Sequence, residues 1–345
     1  TNTRYGKRMP YLLVGIPLSA IAFFLIPFSK SSLLLIMLTV ISLNFFMSIY
    51  RAPTVALMPD FTPPPLRSKA NGIINFMGGL GASFAYLLGG VLFKINEYYS
   101  FAAGSSILII TIILMYGFIR EPKEVSWENQ EKTQNVSGER LNERDKGETV
   151  SLIFLLLAIF FWFTGFNAVE TFFSTYGEKV LNIDKSLSSY LLLTVSALFL
   201  VFAIPSGFIA GKFGRKKTIL LGLVSMMLIF GSLIFVKQIP AMFLLLGLGG
   251  IGWALININS YPMVVEMTSS KGIGKYTGYY YFFSMLASIV SPIVYGAIKD
   301  YLGDGFMFIY ATISMVIAFF FMMLVKHGEA QTVVKSGFDN LEHME

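Results

Sequence analysis

Residues 207–216 read GFIAGKFGRK and join two apolar runs of the chain. Gly207 and Gly211 are four residues apart, so they share one face of a helix and permit a neighbouring helix to approach closely. The aromatic-Gly-basic sequence FGRK of 213–216 recurs at 5–8 as YGKR, an offset of 208 residues. A connection that occurs twice indicates an internal repeat.

Apolar runs extend outward from both connections. The chain is 55% hydrophobic and 13% charged, whereas soluble domains carry about 25% charged residues, so the composition predicts an all-α polytopic membrane protein embedded in the lipid bilayer. Ten runs approach the roughly 20 residues needed to span a membrane. They lie near residues 11–28, 32–57, 73–93, 101–119, 151–173, 187–210, 218–236, 240–263, 276–299 and 305–325.

Two further matches extend the repeat. Residues 53–55 (PTV) recur as 262–264 (PMV), and the run from 72 to 90 matches that from 278 to 296. Three anchors in the same order at offsets of 208, 209 and 206 predict two parallel six-helix repeats. The second repeat has two helices before its GFIAGKFGRK connection, whereas the first begins almost at its own copy. The symmetry therefore predicts two more helices before Thr1, so that ten of an expected twelve are present, in groups of four and six.

The predicted domains follow from this arrangement. Residues 1–119 hold helices three to six of the first repeat, 120–149 form a polar linker, 150–325 hold the second repeat and 326–345 form a tail. Most Lys and Arg residues fall on one set of alternating connections, which includes the linker and both ends. By the positive-inside rule that set is cytoplasmic. We expect a protein of the cell membrane with both termini in the cytoplasm.

Several functional classes are disfavoured by the sequence. The formal charge of +6 is distributed between apolar runs and forms no basic face for nucleic acid. The chain has no Cys, and its only histidines, His327 and His343, lie in the tail, so neither a thiolate nor a His-based metal site is expected in the membrane. The GLGGIG sequence of 247–252 follows no strand and is interpreted as helix packing, not as a nucleotide site. We expect no enzyme activity and no cofactor.

The connections and their repeat resemble those of the major facilitator superfamily. Residues 50–53 (YRAP), 67–72 (RSKANG) and the pair Gly89-Gly90 further resemble the glycoside-pentoside-hexuronide symporters and the related sucrose and maltose proton symporters. This resemblance implies secondary active transport of a sugar or glycoside by a monomer. The coupling ion it implies is H⁺, with Na⁺ as the alternative, because the family's coupling aspartates on the second helix would precede Thr1.

Two charged residues lie inside predicted spans, where a charge costs about 2.5 to 3.5 kcal/mol even on lenient scales. Arg51 either extends to the headgroups or faces a central cavity, where it contacts substrate or holds a carboxylate charged. Glu170 either carries the coupled proton or is a gate or boundary residue near the opposite face. The counterpart of Arg51 in the second repeat lacks the arginine, which favours a functional role.

Amides beside aromatic residues suit a sugar, which needs several hydrogen bonds and an apolar ring face. We expect Asn44, Tyr50, Asn167 and Asn257 to contact substrate. Asn259 is a further candidate. Because Asn257 and Asn259 are two residues apart, they cannot share one helix face, and at least one is expected to join helices instead.

A second group of residues lies at the predicted cytoplasmic face. Arg215 is placed to pair with a carboxylate such as Glu266, and such pairs would hold an inner gate that breaks as the two halves rock. The candidate gate residues are Asp60, Arg67, Gly207, Gly211, Gly214, Arg215, Lys216 and Glu266. The expected function is sugar or glycoside:H⁺ symport by alternating access. The alternatives are an exporter or lipid-like solute carrier on the same fold, or a transport-inactive membrane sensor or scaffold.

Overall fold

The computed structural model describes residues 6–119, 146–268 and 272–329. Within these ranges the ten predicted helices are confirmed, and nine of them are long and apolar enough to cross a membrane. The predicted linker is helical from Lys146, and residues 120–145 lie outside the described ranges. The helices are α1 (Met9–Leu25), α2 (Leu33–Phe61), α3 (Arg67–Ile95), α4 (Glu97–Phe118), α5 (Lys146–Lys179), α6 (Lys185–Phe213), α7 (Arg215–Phe235), α8 (Ile239–Glu266), α9 (Ile273–Leu302) and α10 (Met307–Leu324).

The chain divides into two compact units. Unit 1 comprises Thr1–Phe61, Met77–Glu139 and Ser270–Thr277, and unit 2 comprises Thr62–Phe76, Arg140–Ser269 and Gly278–Glu345. Each unit therefore contains most of one predicted repeat and a short segment from the other. The segment Thr62–Phe76, which includes the first turns of α3, is the part of the first repeat that belongs to unit 2.

Unit 2 is a bundle in which α8 packs against α6 and α7, while α10 packs against α5 and α7. Small residues set the helix spacing. A Cβ added at Gly250 of α8 would lie 2.2 Å from the Val195 carbonyl oxygen of α6, and one at Gly165 of α5 would lie 3.0 Å from the Ala311 carbonyl oxygen of α10. Close backbone approach through small residues is how membrane helices gain packing energy.

Unit 1 has a smaller described core, in which α1 packs against α2 and α4. Leu12, Ile16, Leu57 and Ile112 form its buried cluster. None of the apolar 18-residue window of α2 is buried, whereas 56% of the corresponding window of α8 is. The prediction of two further helices before Thr1 is untested and stays a prediction.

Equivalent contacts recur in the two units. Phe23 and Phe101 meet with ring centroids 5.1 Å apart, and Phe230 and Phe308, each 207 positions later, meet at 5.9 Å. The central helices of the two units, α1 and α7, thus occupy matching places beside the last helix of each repeat. This agreement supports the parallel repeat found in the sequence.

The close approach at Gly250 gives a test of the packing with a matched control. Replacing a helical Gly by Ala normally favours the helix by up to about 1 kcal/mol. At Gly250 the new methyl group would overlap the α6 backbone, and overpacking typically costs about 1 to 3 kcal/mol. We expect Gly250→Ala to lower the thermal unfolding temperature of the purified protein in detergent.

Gly231 of α7 is the control, because a Cβ there meets nothing within 4 Å. We expect Gly231→Ala to keep or raise the unfolding temperature. Equal unfolding temperatures for the Gly250 and Gly231 variants would contradict the described contact between α6 and α8.

Candidate functional site

Arg215 is placed by a turn between two long helices. Helix α6 ends at Phe213, and Gly214 turns the chain with φ +94°, a conformation that favours glycine. Arg215 is then the first residue of α7 and is only 2% exposed. The repeated aromatic-Gly-basic sequence therefore delivers an arginine into the buried end of unit 2.

The guanidinium of Arg215 donates to the end of α8 and to the segment that leads into α3. Its Nη1 lies 2.8 Å from Glu266 Oε2 at the end of α8, so the predicted pairing with Glu266 is present. Its Nη2 donates to the carbonyl of Pro64 at 2.6 Å, and its Nε donates to Ser68 Oγ at 3.1 Å. Arg215 thus ties α7 both to α8 and to the start of α3.

Arg67 shares the same carboxylate. Its Nη1 lies 3.2 Å from Glu266 Oε2, and its Nε donates to the carbonyl of Thr62 at 3.3 Å. Burial lowers the pKa of the Arg67 guanidinium, while the charge of Glu266 opposes that shift. Two buried cations therefore meet one carboxylate, which leaves an uncompensated positive charge within this set of three side chains.

Gly207 explains how α3 reaches the cluster. A Cβ at Gly207 would lie 2.6 Å from the Ser68 carbonyl oxygen and 2.8 Å from Lys69 Cα, so only glycine lets the two backbones approach. One turn later, a Cβ at Gly211 would meet only the far end of the Lys69 side chain, at 3.4 Å. The Lys69 ammonium lies 4.6 Å from the ring centre of Phe208.

Glu329 joins the same end of unit 2 and was missed by the sequence analysis. Its carboxylate accepts the backbone N–H groups of Arg215 and Lys216, each at 2.7 Å. Lys216 Nζ donates to the carbonyls of Met323 at 2.9 Å and Val325 at 2.6 Å. The signal available in the sequence was an acidic residue just after the last apolar run.

Asp60, another of the candidate gate residues, lies in a separate cluster from Arg215. It lies in unit 1 at the end of α2, where Arg8 Nε donates to its Oδ2 at 3.1 Å. A Cβ at Gly274, at the start of α9, would lie 2.6 Å from Arg8 Nη1. Arg8 therefore links the end of α2 with the start of α9, as Arg215 links the end of α8 with the start of α3.

Arg8, which follows the corresponding turn in the first repeat, was not among the predicted gate residues. The signal for it was present, since YGKR of 5–8 is the copy of FGRK of 213–216. In each unit, the arginine that follows the turn, Arg8 or Arg215, thus pairs with a carboxylate beside the first turn of a helix from the other repeat.

Glu170 borders a cavity inside unit 2. The cavity has a volume of about 80 Å³ and lies among α5, α6, α7 and α8. Glu170 makes no hydrogen bond or ion pair with the other residues of the described ranges, and Ser196 is the only other lining residue with a polar side chain. The lining residues are Phe166, Val169, Glu170, Leu192, Val195, Ser196, Met226, Phe230, Leu246 and Gly249.

The predicted amides of unit 2 have different environments. Asn259 is fully buried and donates to Ser206 Oγ and to the carbonyl of Leu255, both at 2.9 Å, so it joins α6 to α8. Asn167 donates to Ser288 Oγ at 3.0 Å. Asn257 is half-buried, one turn from Trp253 on α8. Asn257 and Asn259 cannot share one helix face, and of the two it is Asn259 that makes the contact between helices.

Asn167 and Asn257 lie on the two helices, α5 and α8, whose aromatic rings stack on each other. The rings of Phe166 and Trp253 are parallel with centroids 3.9 Å apart, and Phe163 meets Trp253 edge-on at 5.3 Å. Amide groups next to stacked rings can hold a ligand that has both polar groups and an apolar face.

The remaining predicted contacts lie on α2 in unit 1. Asn44 is exposed and donates to the carbonyl of Val40 on its own helix at 2.8 Å. Tyr50 packs on α1, because a Cβ at Gly15 would lie 2.9 Å from Tyr50 Cδ1. Arg51 has an exposed side chain. The structure therefore places Asn44, Tyr50 and Arg51 in one unit and Glu170, Asn167, Asn257 and Asn259 in the other.

Solved transporters share this architecture at low sequence identity. The transporter FucP in its outward conformation superposes with a TM-score of 0.72 at 11% identity over 92% of this chain and 82% of that one. The human organic anion transporter MFSD10 gives a TM-score of 0.76 at 15% identity over 91% of this chain and 77% of that one. At these low sequence identities, the superpositions show a shared fold and no more.

Sequence relatives agree with the fold. The class H tetracycline resistance protein of Pasteurella multocida is 22% identical over 87% of this chain and 74% of its own length. An uncharacterised transporter of Methanocaldococcus jannaschii is 24% identical over 94% of this chain and 80% of its own length. The family model of the Major Facilitator Superfamily matches residues 1–202 and 179–340. The chain, with its two repeats and their paired arginine clusters, belongs to the major facilitator superfamily of membrane transporters.

Proposed function

We propose that this protein is a secondary active transporter that couples the movement of a small organic solute to protonation of Glu170. The observation that carries this proposal is the lack of any polar partner for Glu170 among the described residues. A carboxylate within an apolar span is expensive when charged, and taking up a proton removes that cost. Glu170 therefore has two states of different charge that can favour different conformations.

The lining of the Glu170 cavity favours H⁺ over Na⁺. Hard metal cations bind through about six or more oxygen atoms. Only Glu170 and Ser196 bring polar side chains to this cavity, and the four surrounding helices continue past it, so their carbonyls are engaged in helical hydrogen bonds. A proton needs one carboxylate and no coordination shell.

The same cavity is too small for the transported solute. Its volume of about 80 Å³ compares with roughly 300 to 1,000 Å³ for pockets that bind small molecules. The solute would therefore bind elsewhere, and the proton would act on transport through the helices that surround Glu170. Asn167 is one turn before Glu170 on α5, which provides a direct link from the proton site to a candidate substrate contact.

The arginine clusters would serve as gates at the cytoplasmic end. Removing one partner of a buried ion pair costs about 3 to 5 kcal/mol, so neutralising Arg215 or Glu266 would destabilise the conformation in which the two side chains are in contact. Separation of Arg215 from Glu266 as the two repeats rock would open the solute-binding site to the cytoplasm. Both termini would lie on this side, and one copy of the chain would suffice.

Two substrate classes have support. The amides Asn167 and Asn257 beside Trp253 favour a sugar or glycoside taken up with H⁺. The apolar surroundings and the relatives named for tetracycline resistance, multidrug efflux and muconate transport favour an amphipathic solute, and two of those three names describe export or resistance. The direction of proton flux separates the two, because symport and exchange move H⁺ in opposite directions relative to the solute.

The proton role of Glu170 can be tested in proteoliposomes with an imposed pH gradient. Pyranine trapped inside reports proton flux on addition of sucrose, maltose, tetracycline or muconate. We expect one class of solute to move protons and to accumulate against its gradient. Glu170→Gln should abolish accumulation and proton flux while keeping solute exchange within about twofold, since glutamine imitates the protonated acid.

Glu178→Gln is the control, because Glu178 lies about two turns further along the same helix and does not line the cavity. It should behave as the unmodified protein does. Accumulation by the Glu170→Gln variant at the unmodified level would overturn the coupling role. Absence of any solute-driven flux in the unmodified protein would remove the transport assignment for these solutes.

The gate can be tested by neutralising its members. Glu266→Gln removes the carboxylate that Arg67 and Arg215 share, and Arg215→Gln removes the donor that joins Glu266 to Pro64 and Ser68. We expect each to slow transport by at least about tenfold, the effect of roughly 1.4 kcal/mol. Lys217→Gln is the control, because Lys217 is exposed, lies two residues after Arg215 and makes no described contact with the cluster. Transport by Arg215→Gln at the Lys217→Gln rate would contradict the gate.

A further inference from the structure

The five residues after α10 cross the end of unit 2 as an extended segment, which we call the C-terminal strap (residues 325–329). Val325 is fully buried at its start. The Lys326 N–H donates to Ser151 Oγ at 3.1 Å, and the same hydroxyl lies 2.9 Å from His327 Nδ1. Two consecutive strap residues are thus tethered to one hydroxyl near the start of α5.

Gly328 lets the strap pass close to α8. Its φ is +99°, and a Cβ there would lie 2.8 Å from both Met263 Cγ and the Met263 carbonyl oxygen. The Gly328 carbonyl in turn lies 3.5 Å from Arg215 Nη1. The strap therefore reaches the arginine cluster through a conformation and a space that only glycine satisfies.

Glu329 then completes the start of α7. Helix N-termini leave backbone N–H groups without partners inside the helix, and the preceding residue, Gly214, has no side chain to cap them. The Glu329 carboxylate accepts two of these N–H groups, those of Arg215 and Lys216, at 2.7 Å. A negative charge at this position is also favoured by the helix dipole.

We infer that Glu329 is a positioning residue of the gate: by capping α7 it holds the backbone of Arg215 where the guanidinium reaches Glu266, Pro64 and Ser68. Glu329 acts on the backbone of Arg215 and makes no described contact with its guanidinium. Opening of the cluster by movement of α7 then requires the strap to move with it or to release it. The strap therefore sets how readily the gate opens, a statement that rests on the proposed gating role of the cluster.

The absence of Cys from the chain permits a clean test. In a parent protein carrying Lys69→Cys and Phe208→Cys, a short bis-methanethiosulfonate added to native membranes links the two thiols through reducible disulfides and reports contact between α3 and α6. We expect Glu329→Gln to lower the cross-linking rate at least threefold, and Glu329→Asp to restore most of it because it keeps the charge. Glu148→Gln, an exposed carboxylate near the start of α5, should leave the rate unchanged.

A cross-linking rate in Glu329→Gln equal to that of the parent overturns the inference. If Glu329→Gln does not yield folded protein, Ser151→Ala provides the test, since it releases Lys326 and His327 without touching α7. We expect Ser151→Ala to lower the cross-linking rate as well. A cross-linking rate equal to that of the parent protein again overturns the inference. Continued transport by fully cross-linked parent protein would instead refute the gate itself, so the two failures are distinguishable.

Discussion

The sharing of one carboxylate by two buried arginines is the interaction on which the end of unit 2 depends. Glu266 accepts from both Arg67 and Arg215, and the carbonyls of Pro64, Pro262 and Gly328 and the hydroxyl of Ser68 accept further hydrogen bonds from Arg215. Low local dielectric makes such contacts strong when complete and expensive when partial. The arrangement therefore favours two states, one in which these contacts are made and one in which separation lets water reach the charges. A two-state element of this kind is what alternating access requires.

The arginine cluster and the Glu170 cavity of unit 2 differ in their chemistry and in the helices that form them. The arginine cluster relies on direct charge pairing, whereas the Glu170 cavity holds a carboxylate that lacks a partner among the described residues. Protonation at Glu170 changes the charge of α5, and α5 begins beside the C-terminal strap through Ser151. Because α5 also packs on α10, from which the strap emerges, movement of α5 can reach Arg215 through Glu329. Under the proposed function, these contacts give a physical route from protonation of Glu170 to the gate within one unit.

The apolar runs, the repeat and the Arg215–Glu266 pair could be predicted from the sequence, since run length, offset and charge placement are local properties. The Arg8–Asp60 contact was signalled in the same way, because Arg8 and Asp60 precede Arg215 and Glu266 by 207 and 206 positions, close to the offset of the repeat. Asn259 illustrates a limit: spacing shows that it and Asn257 face apart, but only packing shows that Asn259 contacts Ser206. Glu329 was missed because capping in this structure comes from a residue more than 100 positions away, beyond any helix-start pattern.

The central claim is that contact between α3 and α6 at the arginine cluster must break during every transport cycle. Transport by the Lys69→Cys, Phe208→Cys protein, measured before cross-linking, after cross-linking and after reduction, tests it most directly. The account predicts that cross-linking reduces flux to that of protein-free vesicles and that reduction restores it. Flux through the cross-linked protein at the rate of the uncross-linked protein would contradict the account.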